Sequence, residues 1–159
     1  MSNHTRQTNT MILMIDEVTR LGTRLQALFV GARAPTGLSS MEAMVLAAVV
    51  EAASPPTVPQ IGRSLGHARQ VVQRATNSMI EKGLIAHGSN PDHKRAPLLL
   101  ATDEGKATKA LADTRAIAAA NGLLQDIDSD KCERLTDELR SLRHEIENHL
   151  RSREAETRR

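Results

Sequence analysis

The sequence predicts a mainly α-helical chain with one small two-stranded sheet, on three observations. Ala and Leu dominate the apolar residues, Trp and Tyr are absent and Phe occurs once, a composition that favours helix over strand. Through most of the chain apolar residues recur three and four apart, the period of one helix face. Two short aliphatic runs, "LIAH" and "LLLA", break that period, and the stretch "NPDHKRAP" joins them.

Residues 1–10 carry no such periodicity and are expected to be a flexible tail. From 11 to 30, Met14, Val18, Leu21, Leu25 and Leu28 step along one face of an amphipathic helix; Gly31, Pro35 and Gly37 end it, closing a first region at 36. A second helix follows in "LSSMEAMVLAAVVEA". Ser39 and Glu42 stand at capping-box spacing, where the hydroxyl accepts from the first turn and the carboxylate reaches back. "SPP" breaks this helix, and Thr57 and Gln60 repeat the cap spacing for a short third one. Pro59 falls early enough in its first turn to cost little, and Gly66 closes it.

The fourth helix is predicted in "HARQVVQRATNSMIEKG", with Val72, Ala75, Thr76, Met79 and Ile80 on its apolar face. The opposite face is polar: Arg69, Gln73 and Asn77 form one row, Gln70 and Arg74 the next. Gly83 sits where a left-handed residue is wanted after the last turn. The two aliphatic runs then make a hairpin whose second strand starts irregularly at Pro97. Thr102 caps a fifth, alanine-rich helix with Asp103 and Glu104 in its first turn, and Asn121-Gly122 predicts a bend or an early end. A last helix, over about 130–150, carries Leu135, Leu139, Leu142, Ile146 and Leu150; residues 151–159 lack an apolar anchor and are expected to fray.

The stripes of the first and last helices are narrow and heptad-like. They resemble the seam of a helix bundle more than a broad core face, so pairing with each other and with a second copy is favoured over simple packing on the central helices. On this pattern Met14, Val18, Leu21, Leu135, Leu139, Leu142 and Ile146 are the candidate dimerisation residues.

Charge is unevenly placed. Residues 57–100 hold six Lys or Arg against two acids, while the rest of the 159 residues holds fifteen against seventeen. A basic centre between slightly acidic ends suits a phosphate-bearing partner. Within it, no acid occurs from His67 to Ile80, whereas an ordinary exposed helix face alternates Glu and Lys. Arg69, Gln70, Gln73 and Arg74 could pair with guanine and adenine if this helix enters a major groove. His93, Lys94 and Arg95, between two prolines, could follow a minor groove.

Other chemistries are disfavoured. No phosphate-binding loop, nucleophile elbow, zinc motif or dinucleotide loop is present, so an enzyme is not expected, and no cofactor or metal is implied. The lone Cys132 permits no internal disulfide, and its charged neighbours balance, so it reads as a partly buried helix residue rather than a redox sensor. Met11, Met14, Met41, Met44 and Met79 read as core filler, with the lining of an adaptable ligand cavity as the alternative. No apolar run approaches the roughly 20 residues that span a bilayer, and the N-terminus lacks a secretory pattern. The protein is expected in the cytoplasm without a membrane partner.

Three helices, two strands with a basic tip, then long helices is the layout of a winged helix-turn-helix with helical arms. "LSSMEAMVLAAVVEA", "TVPQIGRSLGHARQVVQRATNSMIEKGLI" and "NPDHKRAPLLLATDEGKA", in that order, resemble the MarR family of bacterial transcription regulators. The resemblance covers residues 10–150 and implies an N-terminal dimerisation helix at 11–36, a winged DNA-binding domain at 38–101 and C-terminal dimerisation helices at 102–150. It further implies a homodimeric repressor on a pseudo-palindromic operator of double-stranded DNA, released by a small-molecule effector whose site the sequence leaves unknown. Two departures stand out. Ala68 replaces the usual Ser or Thr cap of the recognition helix, and the usual Asp-x-Arg of the wing reads His93, Lys94, Arg95, with the acid moved to Asp92. They sustain an alternative: a helical interaction module on a winged scaffold that has lost specific DNA binding.

Overall fold

The second helix begins where its cap places it. In the computed structural model, which describes residues 3–91 and 96–157, α2 spans Ser40–Val50. The backbone N–H of Ser39 donates to Glu42 Oε2 (2.7 Å) and that of Glu42 to Ser39 Oγ (3.3 Å), closing the box in both directions. Helix α3 spans Val58–Leu65, with Gln60 Oε1 accepting from both the backbone N–H and the hydroxyl of Thr57. After a left-handed Gly66 (φ 65°), α4 covers Arg69–Glu81, and Gly83 (φ 73°) takes the left-handed position predicted for it.

Strands β1 (Ile85–Gly88) and β2 (Leu98–Ala101) pair antiparallel with Ile85 opposite Ala101 and Gly88 opposite Leu98. β2 starts one residue after Pro97, and the N–H of Leu99 donates to Pro56 O (2.8 Å), tying the hairpin to the segment before α3. The fold class is therefore mainly α with a two-stranded wing.

The chain divides into two units, Met1–Ala119 and Ala120–Arg159. In the first, α2, α3, α4 and the wing share one core: Val45, Leu46, Ile61, Val72, Met79, Ile85 and Leu99 are each no more than 2% exposed. Glu42 is buried at the edge of this core. Burial pushes its carboxyl up, but hydrogen bonds from Lys82 Nζ (2.6 Å), Ser78 Oγ (2.7 Å) and the Ser39 backbone more than offset that, and hold it at about 2. This carboxylate ties the start of α2 to the end of α4.

Thr102 joins the wing to α5 (Asp103–Leu123): its Oγ1 donates to Gly83 O (2.7 Å) and accepts from the N–H of Gly105 (3.0 Å). At Gly105 the helix meets the backbone of Leu84 so closely that an added Cβ would lie 2.1 Å from Leu84 O. Lys109 on α5 bonds both Glu51 (2.7 Å), at the end of α2, and Asp113 (2.6 Å); those hydrogen bonds hold its ammonium above its ordinary range.

The long helices depart from the sequence expectations. α1 runs Asn3–Arg33, so the expected tail at 1–10 is helical from Asn3 onward; α6 runs Ser129–Thr157, through most of the segment expected to fray. α5 continues through Asn121-Gly122 to Leu123. The common reason is that apolar spacing marks where a helix can be covered, whereas each further residue adds a backbone hydrogen bond and extends it through polar sequence. In the added stretch of α6, Arg151 donates to Asn148 Oδ1 (2.8 Å) one turn back.

In the first unit, the stripe of α1 is largely open: Val18, Leu21, Leu25 and Leu28 are 40–45% exposed and Met14 is half-buried. In the second unit Leu135, Leu139 and Ile146 are exposed and Leu142 half-buried. Cys132, expected to be partly buried, is exposed on α6. Of the methionines expected as core filler, Met79 is buried and Met41 packs against the core, while Met11 and Met44 are exposed. No helix among the described residues is long and apolar enough to cross a membrane, and no group of three metal-ligating side chains occurs among them.

Candidate nucleic-acid interface

The turn between α3 and α4 determines which face of α4 is presented. The N–H of His67 donates to Gly62 O (2.9 Å), and a Cβ on Gly62 would stand 3.1 Å from His67 O, so the backbone folds back tightly over a residue without a side chain. Gly66 supplies the left-handed conformation that reverses direction. From there α4 buries Val72, Ala75, Thr76 and Met79, and the Thr76 hydroxyl is satisfied within the helix by Val72 O (2.9 Å).

What remains outward is the polar face. Arg69, Gln70, Arg74 and Asn77 are exposed and Gln73 is half-buried. No acid lies in the first turn of α4, so its unsatisfied N–H groups and their partial positive charge add to the two arginines. Ala68 occupies the N-cap and offers no side-chain acceptor there; the first turn closes instead through Ala68 O, which accepts from Val71 (2.9 Å) and Val72 (3.3 Å). A polar edge of this kind suits phosphates and base acceptors.

One contact on this face was not read from the sequence. Gln73 Nε2 donates to Asn77 Oδ1 (2.9 Å), one helical turn along. Their row was legible from the spacing, but the orientation of the amides was not.

The wing residues His93, Lys94 and Arg95 lie outside the described residues. The base of the wing is described: Asn90 Nδ2 donates to Ala96 O (2.6 Å) across it, so the two strands are pinned just before the tip. Beside it an open groove of about 630 Å³ runs along α3, bordered by Gln60, Arg63, Asn90 and Leu98. The structure thus brings Arg69, Gln70, Gln73 and Arg74 together on one face. The expected dimerisation residues lie elsewhere, on α1 in the first unit and α6 in the second.

Comparison with known proteins agrees with this architecture. Residues 36–96 match the family model described as the MarR family. A protein of Mycobacterium tuberculosis (strain ATCC 25618 / H37Rv), itself uncharacterized, is 38% identical over 86 residues, which is 54% of this chain and 60% of that relative. Among solved structures, CouR from Rhodococcus jostii RHA1 bound to p-coumaroyl-CoA superposes with a TM-score of 0.70 at 24% identity, covering 79% of this chain and 87% of that one. CouR has also been solved as a transcriptional repressor bound to a 23-mer DNA duplex. A mutant MarR from E. coli complexed with operator DNA gives a TM-score of 0.75 at 18% identity over 84% of this chain and 96% of that one. The matched segment contains the capping box, the tight helical turn and the outward face of α4, so the similarity to the MarR family falls on the winged helix-turn-helix of this chain.

Proposed function

We propose that this protein is a sequence-specific regulator of transcription that binds double-stranded DNA as a homodimer in the cytoplasm. The observation that carries the reading is the outward face of α4: Arg69, Gln70, Gln73 and Arg74, with no acid among them, on a helix anchored by a tight turn before it and a buried carboxylate after it. Arginine pairs with guanine and glutamine with adenine through two hydrogen bonds each, and the arginines also neutralise phosphates. Lys94 and Arg95, with His93, extend the basic surface at the wing.

The exposed stripes support the dimer, because rows of apolar residues left open on long helices mark a surface that another chain covers. Met14, Val18 and Leu21 on α1, and Leu135, Leu139, Leu142 and Ile146 on α6, would form it. Two lobes related by a two-fold axis then match a pseudo-palindromic operator. Repression relieved by a small molecule follows the example of CouR, a repressor solved with p-coumaroyl-CoA and with DNA.

A second reading, an interaction module that has lost specific DNA binding, is favoured by one observation: Ala68 leaves the start of α4 without its side-chain cap. Binding of the full-length protein to duplex from upstream of its own gene, with random duplex as competitor, separates the two. A regulator binds in a competitor-resistant way, weakens steeply with salt, and loses that binding in the Arg69→Ala/Arg74→Ala variant while the helical content stays. Binding that random duplex removes equally well, unchanged in the variant, would favour the interaction module.

A further inference from the structure

The bond between Gln73 and Asn77 bears on which base the helix accepts. Asn77 lies one turn beyond Gln73 on the exposed face, one turn before Glu81, and its Oδ1 accepts from Gln73 Nε2 at 2.9 Å. An unrestrained glutamine amide turns over freely, presenting its N–H₂ and its oxygen in either order. With Asn77 as the acceptor, one N–H of Gln73 is held along the helix, leaving the second N–H and Oε1 for a ligand, whereas the reverse pairing, Asn77 Nδ2 to Gln73 Oε1, would leave two N–H groups instead.

The groove edge of adenine offers an acceptor at N7 beside a donor at N6, complementary to one N–H and one carbonyl oxygen. Guanine offers two acceptors, N7 and O6, and would set O6 against Oε1. In this pairing the N–H₂ group of Asn77 is not used by Gln73 and is a donor suited to an acceptor such as a phosphate oxygen or thymine O4.

We infer that Asn77 is a positioning residue for specificity: by holding the Gln73 amide in one orientation, it makes α4 select adenine over guanine at the base that Gln73 meets. The inference rests on the DNA-binding reading above, and deepens it from a basic face to a particular choice of base.

The test is selection of binding sites from a randomised duplex pool by the full-length protein. Gln73→Ala identifies the base pair, as the one whose preference collapses. Asn77→Ala then lowers the preference for adenine over guanine at that same pair about tenfold, with the rest of the selected site unchanged. Asn77→Asp keeps an acceptor for Gln73 and so retains the preference, while its charge, turned toward phosphates, lowers affinity for every duplex. A purely structural role would weaken all positions together and would not be rescued by Asp. An Asn77→Ala site identical to that of the unsubstituted protein, a uniform loss at all positions, or a Gln73 pair that is not A·T each overturns the inference. If the unsubstituted protein selects no site at all, the DNA-reading function fails, and this inference with it.

Discussion

Leu46 and Leu139 are the same residue on the apolar stripe of a helix, yet Leu46 is fully buried and Leu139 is 38% exposed. The difference separates two ways of using hydrophobic residues. In the winged lobe, α2, α3, α4 and β2 enclose each other's stripes, so that part of the chain buries its own core. The leucines of α6, and those of α1 in the other unit, have the spacing of a seam with the seam open. Residue type and periodicity are alike in both regions; what differs is whether the same chain supplies a covering surface.

The largest expected effect tests that contrast directly. Leu46→Ala should cost about 4 kcal/mol in urea unfolding, through lost burial and the cavity left behind, with a midpoint shift that does not depend on protein concentration. Leu139→Asp should leave the lobe's own stability intact and act on the proposed assembly: sedimentation is expected to show a dimer for the unsubstituted protein and a monomer for the variant. Equal sensitivity of both variants to concentration would break the distinction between the regions.

Gly105→Ala comes next, at about 3 kcal/mol, since the new methyl would press on the carbonyl of Leu84 and only backbone movement relieves it. Thermal unfolding reads the loss directly. A change of less than about 1 kcal/mol would mean that α5 can slide away from β1 without disturbing the lobe.

These two sites also mark what the sequence could and could not convey. Local signals were readable: the Ser39–Glu42 box, the left-handed Gly66 and Gly83, and Thr102 as a cap all act within a few residues, and their chemistry is specific to residue type. The backbone approach at Gly105 was hidden, because it depends on a partner 21 positions earlier, and so was the Lys82–Glu42 bond, which spans 40. Helix extents were underestimated, since apolar stripes end before the hydrogen-bonded backbone does. At the candidate site, spacing grouped Arg69, Gln73 and Asn77 into a row but gave no orientation for either amide, and the wing tip at His93, Lys94 and Arg95 stays an expectation from sequence.

A smaller effect, on the order of 2 kcal/mol, belongs to Glu42. Its carboxyl is held at about 2, below the ordinary 4.5, so the folded state binds its proton less readily than the unfolded chain does. The contribution is therefore complete above about pH 4.5 and is lost as pH falls toward 2. Glu42→Gln should lower stability at neutral pH and flatten that acid limb, measured by denaturant unfolding across the range. The effect is moderated because Lys82, its partner, is 40% exposed and hydrated by solvent. An unchanged acid limb would assign the loss to other carboxylates.

The smallest change returns to the one place where the well-built lobe is left incomplete. Ala68 stands at the N-cap of α4 (φ −57°, ψ 136°), with no side-chain oxygen to offer the first-turn N–H groups. Ala68→Ser should add about 1 kcal/mol to stability, read as a higher urea midpoint with an unchanged slope. The same N–H groups face outward beside Arg69 and Gln70, where a phosphate oxygen could accept from them. Under the proposed DNA-binding function a serine that satisfies them internally would compete with DNA, so the variant should be more stable and yet bind its operator no better. Gains in both stability and affinity would mean that those N–H groups meet only water in the complex, and that the missing cap is a plain defect of α4.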